Sequence, residues 1–236
     1  MRIRATIASG AAALMLAPAF ADTAETGIPD RRDSLTTIAE MWTPEAGDQI
    51  SFTVLRKGNA FGYHRVSFDE TTNGDLTVRT EVELRAGLGP ITVFKYTLDS
   101  AETWRDGTLI SLSGKLNDDG RKGRVQASAD GDVLVVNGSE FEGQVDLGIL
   151  PSSHWNVQQS KADRLVSTED GEILTVTMVP KGTETIQVAG ETIEASRYLL
   201  DSDIDVDLWY DETGRWVKLT FEARGQTIEY VLDALY

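Results

Sequence analysis

The 236-residue chain contains no cysteine. Without a thiol it can form neither a disulfide nor a cysteine-ligated metal or iron–sulfur site, and thiol catalysis is excluded as well. It also lacks the residue to which bacterial lipoproteins attach their lipid. The fold must therefore be stabilised by packing alone, which a chain of this length can achieve because it can bury roughly 70% of its unfolded surface.

Basic residues and histidines are scarce too. Lys and Arg number 22 against 38 Asp and Glu, so the formal net charge is −16 and the pI is near 4.5. A nucleic-acid-binding surface needs concentrated positive charge, and the composition excludes that partner. The two histidines form no HExxH-type pair, and there is no GxSxG or SxxK motif. The motifs therefore indicate no metal site, no cofactor and no catalytic residue.

Apolar runs are short everywhere except near the N-terminus. Arg2 and Arg4 precede an apolar stretch at residues 5–16, and the small-x-small sequence Ala-Phe-Ala follows at 19–21. This order is typical of a secretory signal peptide, and the stretch is shorter than the roughly 20 residues that span a bilayer. We therefore expect residues 1–21 to be a cleaved signal peptide and the remainder to be a periplasmic protein without a transmembrane span.

Residue periodicity predicts a mainly β protein. Residues 22–47 are polar and mixed, with helical spacing near their end, which predicts an N-terminal arm with one short helix. From Gln49 onward apolar and polar residues alternate, and turn sequences such as Asn73-Gly74 separate the runs. We expect residues 48–236 to be a single antiparallel β domain, a large curved meander sheet forming an open or partly closed β-barrel. The one long loop, from Phe141 to Lys161, is expected to contain a helical turn near 151–158.

Turn sequences predict parts of the strand register. The Ala189-Gly190 turn sets Ile186 opposite Ile193. At Asp106-Gly107 a simple two-residue hairpin would misalign the apolar faces of its strands. We therefore expect a β-bulge beside that turn.

Trp209 and Trp216 are candidate interaction residues. The loop at 211–214 is expected to pair Leu208 with Val217, and this register places both tryptophans side by side on the outer face of the sheet. There they could dock an envelope protein or the chain's own N-terminal helix.

Glu102 and Arg197 are polar residues on predicted apolar strand faces. Glu102 shares its face with Trp104, and Arg197 shares its face with Leu199. The two charged side chains could form a buried ion pair, or they could be the polar anchors of an apolar cavity. We therefore treat Glu102, Trp104 and Arg197 as candidate binding residues.

Both histidines allow two interpretations. His154 and Trp155 lie in the one long loop, where function tends to concentrate, and both are candidate binding residues. They could form a structural plug over the end of the sheet, or His154 could be a general base. His64 is predicted to be a hydrogen-bonded core imidazole rather than a ligand. The alternating aspartates at 201–207 favour a solvated acidic face over a calcium site.

Several of these segments together resemble one bacterial family. They are Glu102–Gly107, Leu150–Asn156, Arg197-Tyr198, Asp207–Asp211 and Gly214–Val217, within a similarity that runs from about Gln49 to Leu232. The sequence resembles the exported proteins of domain-of-unknown-function family 6134. The resemblance implies a mostly β periplasmic protein and carries over no activity, cofactor or catalytic residue. More loosely, the expected architecture is similar to that of open-barrel periplasmic carriers of lipids and lipoproteins.

These observations favour a non-enzymatic periplasmic protein that binds or carries an apolar or amphipathic envelope molecule. The first alternative is a structural or protein-interaction module of the cell envelope. The second is a hydrolase that uses Glu102 or His154, for which the sequence supplies no visible nucleophile or oxyanion partner.

Overall fold

The computed structural model describes residues 41–88, 91–223 and 225–236, so the expected signal peptide and nearly all of the expected N-terminal helix lie outside the described residues. The described part contains sixteen strands and one 3-10 helix, Val157–Lys161. The strands are β1 (Gln49–Arg56), β2 (Asn59–Glu70), β3 (Leu76–Leu88), β4 (Ile91–Arg105), β5 (Thr108–Asp118), β6 (Arg121–Asp130), β7 (Val133–Gly138), β8 (Glu142–Asp146), β9 (Leu150–Pro151), β10 (Arg164–Val166), β11 (Ile173–Thr175), β12 (Thr177–Val188), β13 (Glu191–Asp201), β14 (Val206–Asp211), β15 (Trp216–Ala223) and β16 (Gln226–Leu232).

Thirteen of these strands form one antiparallel sheet. Strands adjacent in sequence are neighbours from β1 to β8 and from β12 to β16, and β16 pairs with β1, with Val231 opposite Thr53. The predicted large antiparallel meander is therefore confirmed. The end strands β8 and β12 do not pair with each other, so the sheet does not close into a barrel. The remaining strands, β9 to β11, form a small separate sheet.

The large sheet curls around an interior space. Val82 on β3 and Val206 on β14 line the same cavity, although five strand spacings separate their strands in the sheet order. In a flat sheet they would lie roughly 24 Å apart, at about 4.8 Å per strand. Curling therefore brings the two halves of the sheet face to face.

A buried segment, residues 165–171, crosses the inner faces of β5, β6 and β7, and we call it the strap. Its backbone lies against three glycines, one on each strand, where any Cβ atom would clash with a strap carbonyl oxygen. The Cβ-to-oxygen distances would be 2.0 Å from Gly114 to Thr168, 2.7 Å from Gly123 to Glu169 and 2.2 Å from Gly138 to Asp170. Because these glycines have no side chains, the strap can pack directly against β5, β6 and β7 and fill the interior beside these strands.

Two turn predictions are confirmed. Ile186 pairs with Ile193, and both residues of the turn between them have positive φ angles of 50° and 85°, as the favoured hairpin turn requires. The bulge expected beside Asp106-Gly107 lies between Thr103 and Trp104. The predicted helical turn begins later than expected, as the 3-10 helix at Val157–Lys161.

The predicted register of β14 against β15 is wrong. Leu208 pairs with Leu219 rather than with Val217. The reason is that the turn pairs Tyr210 with Trp216 instead of Arg215, and a bulge after Trp209 shifts the ladder by one further residue. The inserted residue turns Trp216 toward the interior and leaves Trp209 on the outer face, since one extra residue reverses the direction of each following side chain. The two tryptophans are therefore not side by side.

Candidate functional site

Glu102 lies at the centre of a tryptophan cluster at one end of the curled sheet. It is 1% exposed on the inner face of β4, and its Oε2 accepts hydrogen bonds from Nε1 of Trp104 at 2.8 Å and of Trp155 at 3.0 Å. Trp104 shares the face of Glu102 because it is two residues further along the strand. Trp155 comes from the long loop, and its ring packs edge-on against Trp104 with centroids 5.4 Å apart.

The donors to the Glu102 carboxyl group are neutral, and its Oε1 has no hydrogen-bond partner among the described residues. Burial raises the pKa of Glu102, and hydrogen bonds from Trp155, Ser153 and Trp104 offset this effect only in part. No lysine or arginine of the described residues forms an ion pair with it. We call Glu102, Trp104, Ser153 and Trp155 the Glu102 cluster. Its hydrogen bonds fasten the long loop onto β4 and cover this end of the interior.

His154 turns away from that cluster toward the interior. Its backbone adopts a left-handed φ of 67°, and its Nδ1 lies 3.3 Å from Oε1 of the buried Gln159. The hydroxyl group of Tyr210 donates to the His154 carbonyl at 2.8 Å, which fixes the loop to β14. Burial lowers the pKa of His154 to about 4, so its ring is neutral at pH 7.

An interior cavity of about 80 Å³ lies between the strap and the opposite half of the sheet. Most of its wall is apolar, and polar groups enter it from the strap and from the long loop. The cavity approaches the surface at the β13–β14 connection, where Ser202, Ile204 and Val206 are only half-buried. The side chains in its wall include His64, Val82, Leu98, His154, Glu169 and Leu219.

His64 is the most unusual group in this wall. It is 6% exposed, and neither ring nitrogen has a hydrogen-bond partner among the described residues. Aromatic rings surround it, at centroid distances of 5.2 Å from Trp216 and 5.5 Å from Tyr230. Burial and the neighbouring His154 lower its pKa to about 3. The expectation of a core imidazole is thus correct for its location, but the expected hydrogen bonds are absent.

The strap contributes a buried acid to the cavity. Glu169 accepts a hydrogen bond of 2.7 Å from the hydroxyl group of Tyr96, and Nη2 of Arg121 lies 3.9 Å from its other carboxylate oxygen. Burial, followed by the charge of Glu169, raises the pKa of Tyr96 well above its usual value. The tyrosine therefore stays protonated and holds the strap in place.

The expected inward orientation of Arg197 is wrong. Arg197 lies on the outer face, where its Nε and Nη2 each donate to Asp207 at 2.9 Å and its guanidinium stands 5.1 Å from the centre of the Trp209 ring. It therefore forms no ion pair with Glu102. Asp207 accepts both hydrogen bonds from Arg197. The nearby Lys218 forms its ion pair with Glu229, at 3.1 Å.

Sequence reasoning found one part of the site and missed another. It named Glu102, Trp104, His154 and Trp155, which the long loop brings close together, but not Ser153. It missed the strap and Glu169, because Tyr96 and Glu169 are 73 residues apart and no local pattern joins them. The inner-face glycines of β5, β6 and β7 were the available signal, since a glycine within a strand often marks the close approach of another backbone.

Metal-binding groups and membrane-spanning helices are both absent from the residues that the structure describes. No group of three or more His, Asp or Glu side chains in this part of the chain is placed to hold a metal ion. None of its helices has the length and apolar character needed to cross a membrane.

The fold defines a barrel-like, mainly β protein with a curled antiparallel sheet. A solved protein of similar fold is the beta-barrel-like protein of domain of unknown function DUF1849 from Brucella abortus, known from a crystal structure. The TM-score is 0.51 at 12% sequence identity, and the match covers 78% of this chain and 94% of that one. No curated protein matches the sequence. The model of the family described as Domain of unknown function (DUF6134) matches residues 52–233, and the chain belongs to that family.

Proposed function

We propose that this protein is a non-enzymatic binding or carrier protein that holds an apolar or amphipathic molecule in its interior cavity. The predicted signal peptide supports a periplasmic location. The cavity carries the proposal, because its wall combines apolar side chains with a buried polar group, His64, that has no partner among the described residues. An apolar pocket with a few polar groups is the usual form of a small-molecule site.

The size of the cavity restricts the ligand. Pockets for drug-sized ligands measure about 300–1,000 Å³. At about 80 Å³, this cavity encloses only part of a single short hydrocarbon chain, and the remainder would extend toward the surface beside Ser202, Ile204 and Val206. A bulky lipid with several acyl chains would require the two halves of the sheet to separate.

A larger groove of about 330 Å³ lies beyond the Glu102 cluster, lined by residues that include Trp42, Trp104 and Trp155. The indole N–H groups of Trp104 and Trp155 are already bonded to Glu102. These two tryptophans therefore offer the groove ring surface but no free indole donor, and the interior cavity with its unpaired His64 is the better candidate.

The alternative of docking through Trp209 and Trp216 has less support. Trp216 is fully buried, and the Trp209 ring lies between Arg197 and Lys218, whose charged groups are 5.1 Å and 5.2 Å from its centre. Neither ring offers a free face to a partner. The geometry also does not favour hydrolysis, since Glu102 is only 1% exposed and His154 is a weak base with a pKa of about 4.

Native mass spectrometry of protein recovered from its own cells without detergent tests the proposal. The wild type should carry a bound molecule of low mass. Val82→Phe, which adds a ring inside the cavity, should lose it, because the space that the ligand needs is then filled.

Val231→Phe is the matched control, since Val231 is 39% exposed on the outer face and the substitution is the same. This variant should keep the bound molecule. The proposal is wrong if Val82→Phe retains the same adduct as the wild type, or if none of the three proteins carries one.

A further inference from the structure

The polar groups of the cavity indicate the chemistry of its ligand. His64 projects from β2 into the cavity wall, where Val82, Leu98 and Leu219 are among the apolar residues, and both of its nitrogens lack a partner among the described residues. A neutral imidazole has one N–H donor and one lone-pair acceptor. Burial of both without partners is unfavourable, so nearly every buried polar group in proteins is hydrogen-bonded. A ligand that supplies the missing bond would gain affinity at this point.

We infer that the cavity selects a slender molecule carrying an uncharged hydroxyl group, which forms a hydrogen bond with His64 while its hydrocarbon chain contacts the apolar wall. This inference rests on the proposed function, because it names the ligand class of the same cavity.

The electrostatics of the cavity favour an uncharged ligand. His64 is neutral at pH 7 because its pKa is about 3, so it offers no positive charge to a carboxylate or phosphate. His154, on the neighbouring loop, is neutral as well. An anion would also face the carboxylate of Glu169 in the strap, which accepts a hydrogen bond from Tyr96 and lies 3.9 Å from Arg121. Burying a charge without a partner is far less favourable than burying a hydroxyl group.

A hydroxyl group also fits the geometry better than a larger polar group. It can donate to the free lone pair of the imidazole or accept from its N–H, so it is suited to either tautomer of His64. It adds only one heavy atom to the chain, and the cavity of about 80 Å³ has little room for more. The apolar wall then contacts the rest of the molecule.

Calorimetric titration with four six-carbon probes tests the inference: hexan-1-ol, hexane, hexanoate and hexylamine. Without a partner in the cavity, hexan-1-ol should bind less tightly than hexane, because its hydroxyl group loses water on binding. In the wild type we expect hexan-1-ol to bind at least tenfold more tightly than each of the other three probes. In His64→Phe, which keeps an aromatic ring but removes both nitrogens, hexane should bind at least as tightly as hexan-1-ol.

A nitrogen-15 NMR measurement on the wild type keeps the inference testable if His64→Phe does not fold. The chain has only two histidines, so the ring signals are few. Hexan-1-ol should shift a ring-nitrogen signal of His64, and hexane should leave it in place.

The outcomes separate this inference from the proposed function. If neither hexan-1-ol nor hexane binds to the wild type, the proposed function fails. If both bind with equal affinity, or if His64→Phe keeps the wild-type preference for the alcohol, the cavity binds ligands but the role of His64 is wrong. Tighter binding of hexylamine than of hexan-1-ol would place the polar contact at Glu169 and overturn the inference.

Discussion

His64 and His154 are held neutral inside the sheet, and this links the stability of the fold to pH. Burial lowers the pKa of His64 from 6.5 to about 3 and that of His154 to about 4. Below pH 6.5 the unfolded chain therefore binds protons that the folded chain does not, and the free energy of unfolding falls on acidification. Glu102 acts in the opposite direction, because its raised pKa makes the folded chain retain a proton as the pH rises above 4.5.

Replacing His64 by phenylalanine should remove its contribution to the pH dependence of the free energy of unfolding. We expect His64→Phe to be more stable than the wild type at pH 7 by about 1–3 kcal/mol, because it removes unpaired buried polar groups. Between pH 6.5 and about 3, the wild type should lose up to about 1.4 kcal/mol per pH unit relative to the variant.

Urea unfolding of both proteins across this pH range measures the difference directly, since His154 and Glu102 remain in each. Parallel stability curves for the two proteins would mean that folding does not lower the pKa of His64, which would contradict its burial without a partner.

Individual side chains were predictable where strand alternation alone places them. Glu102 and Trp104 are two residues apart on one strand, so the sequence already puts them on the same face, and they are hydrogen-bonded. The orientation of Arg197 was not predictable in this way. Its outward position follows from the bidentate contact with Asp207 on the neighbouring strand, and that contact depends on register.

Strand pairing could be predicted where a tight turn joins the strands, but the prediction failed where a bulge interrupts them. The Ala189-Gly190 turn has one favoured geometry, so the pairing of Ile186 with Ile193 followed from it. In the β14–β15 hairpin a bulge after Trp209 adds a residue to one strand. The sequence carries no clear signal for that insertion, because apolar residues occupy both faces there.

The strap depends on glycine at the strand positions that it crosses. A Cβ atom at Gly114 would lie 2.0 Å from the carbonyl oxygen of Thr168 and 2.9 Å from Cγ1 of Val125. We expect Gly114→Ala to lower the free energy of unfolding by about 2–3 kcal/mol, because a displaced strap loses its packing over β5 to β7.

Gly148→Ala is the matched control for this prediction. A Cβ atom there meets nothing within 4 Å, and the residue does not have a positive φ angle. Urea unfolding should show a change of no more than about 0.5 kcal/mol for Gly148→Ala. Equal stability of the two variants would contradict the packing that we describe for the strap.

The assembled sheet explains why the cavity could not be predicted from sequence. Its wall combines residues from β2 to β4 with residues from β13 to β16, and only the β1–β16 pairing and the curl bring these halves together. The sequence predicted an open or partly closed barrel, and the structure shows a sheet with two end strands that do not pair with each other. One of them, β12, contains Pro180 and a bulge before Gly182, features that discourage pairing with another molecule's edge.

The most direct test of the central claim is whether a ligand enters the interior cavity rather than the groove or the outer face. The indole N–H signals of the tryptophans report on these places in a nitrogen-15 NMR titration with hexan-1-ol. Trp216 contacts His64 inside the sheet, Trp42 lines the groove, and Trp209 lies on the outer face. We predict a saturable shift of the Trp216 signal with the Trp209 and Trp42 signals unchanged. A shift of the Trp42 signal without one of Trp216, or no saturable shift at all, would contradict the account.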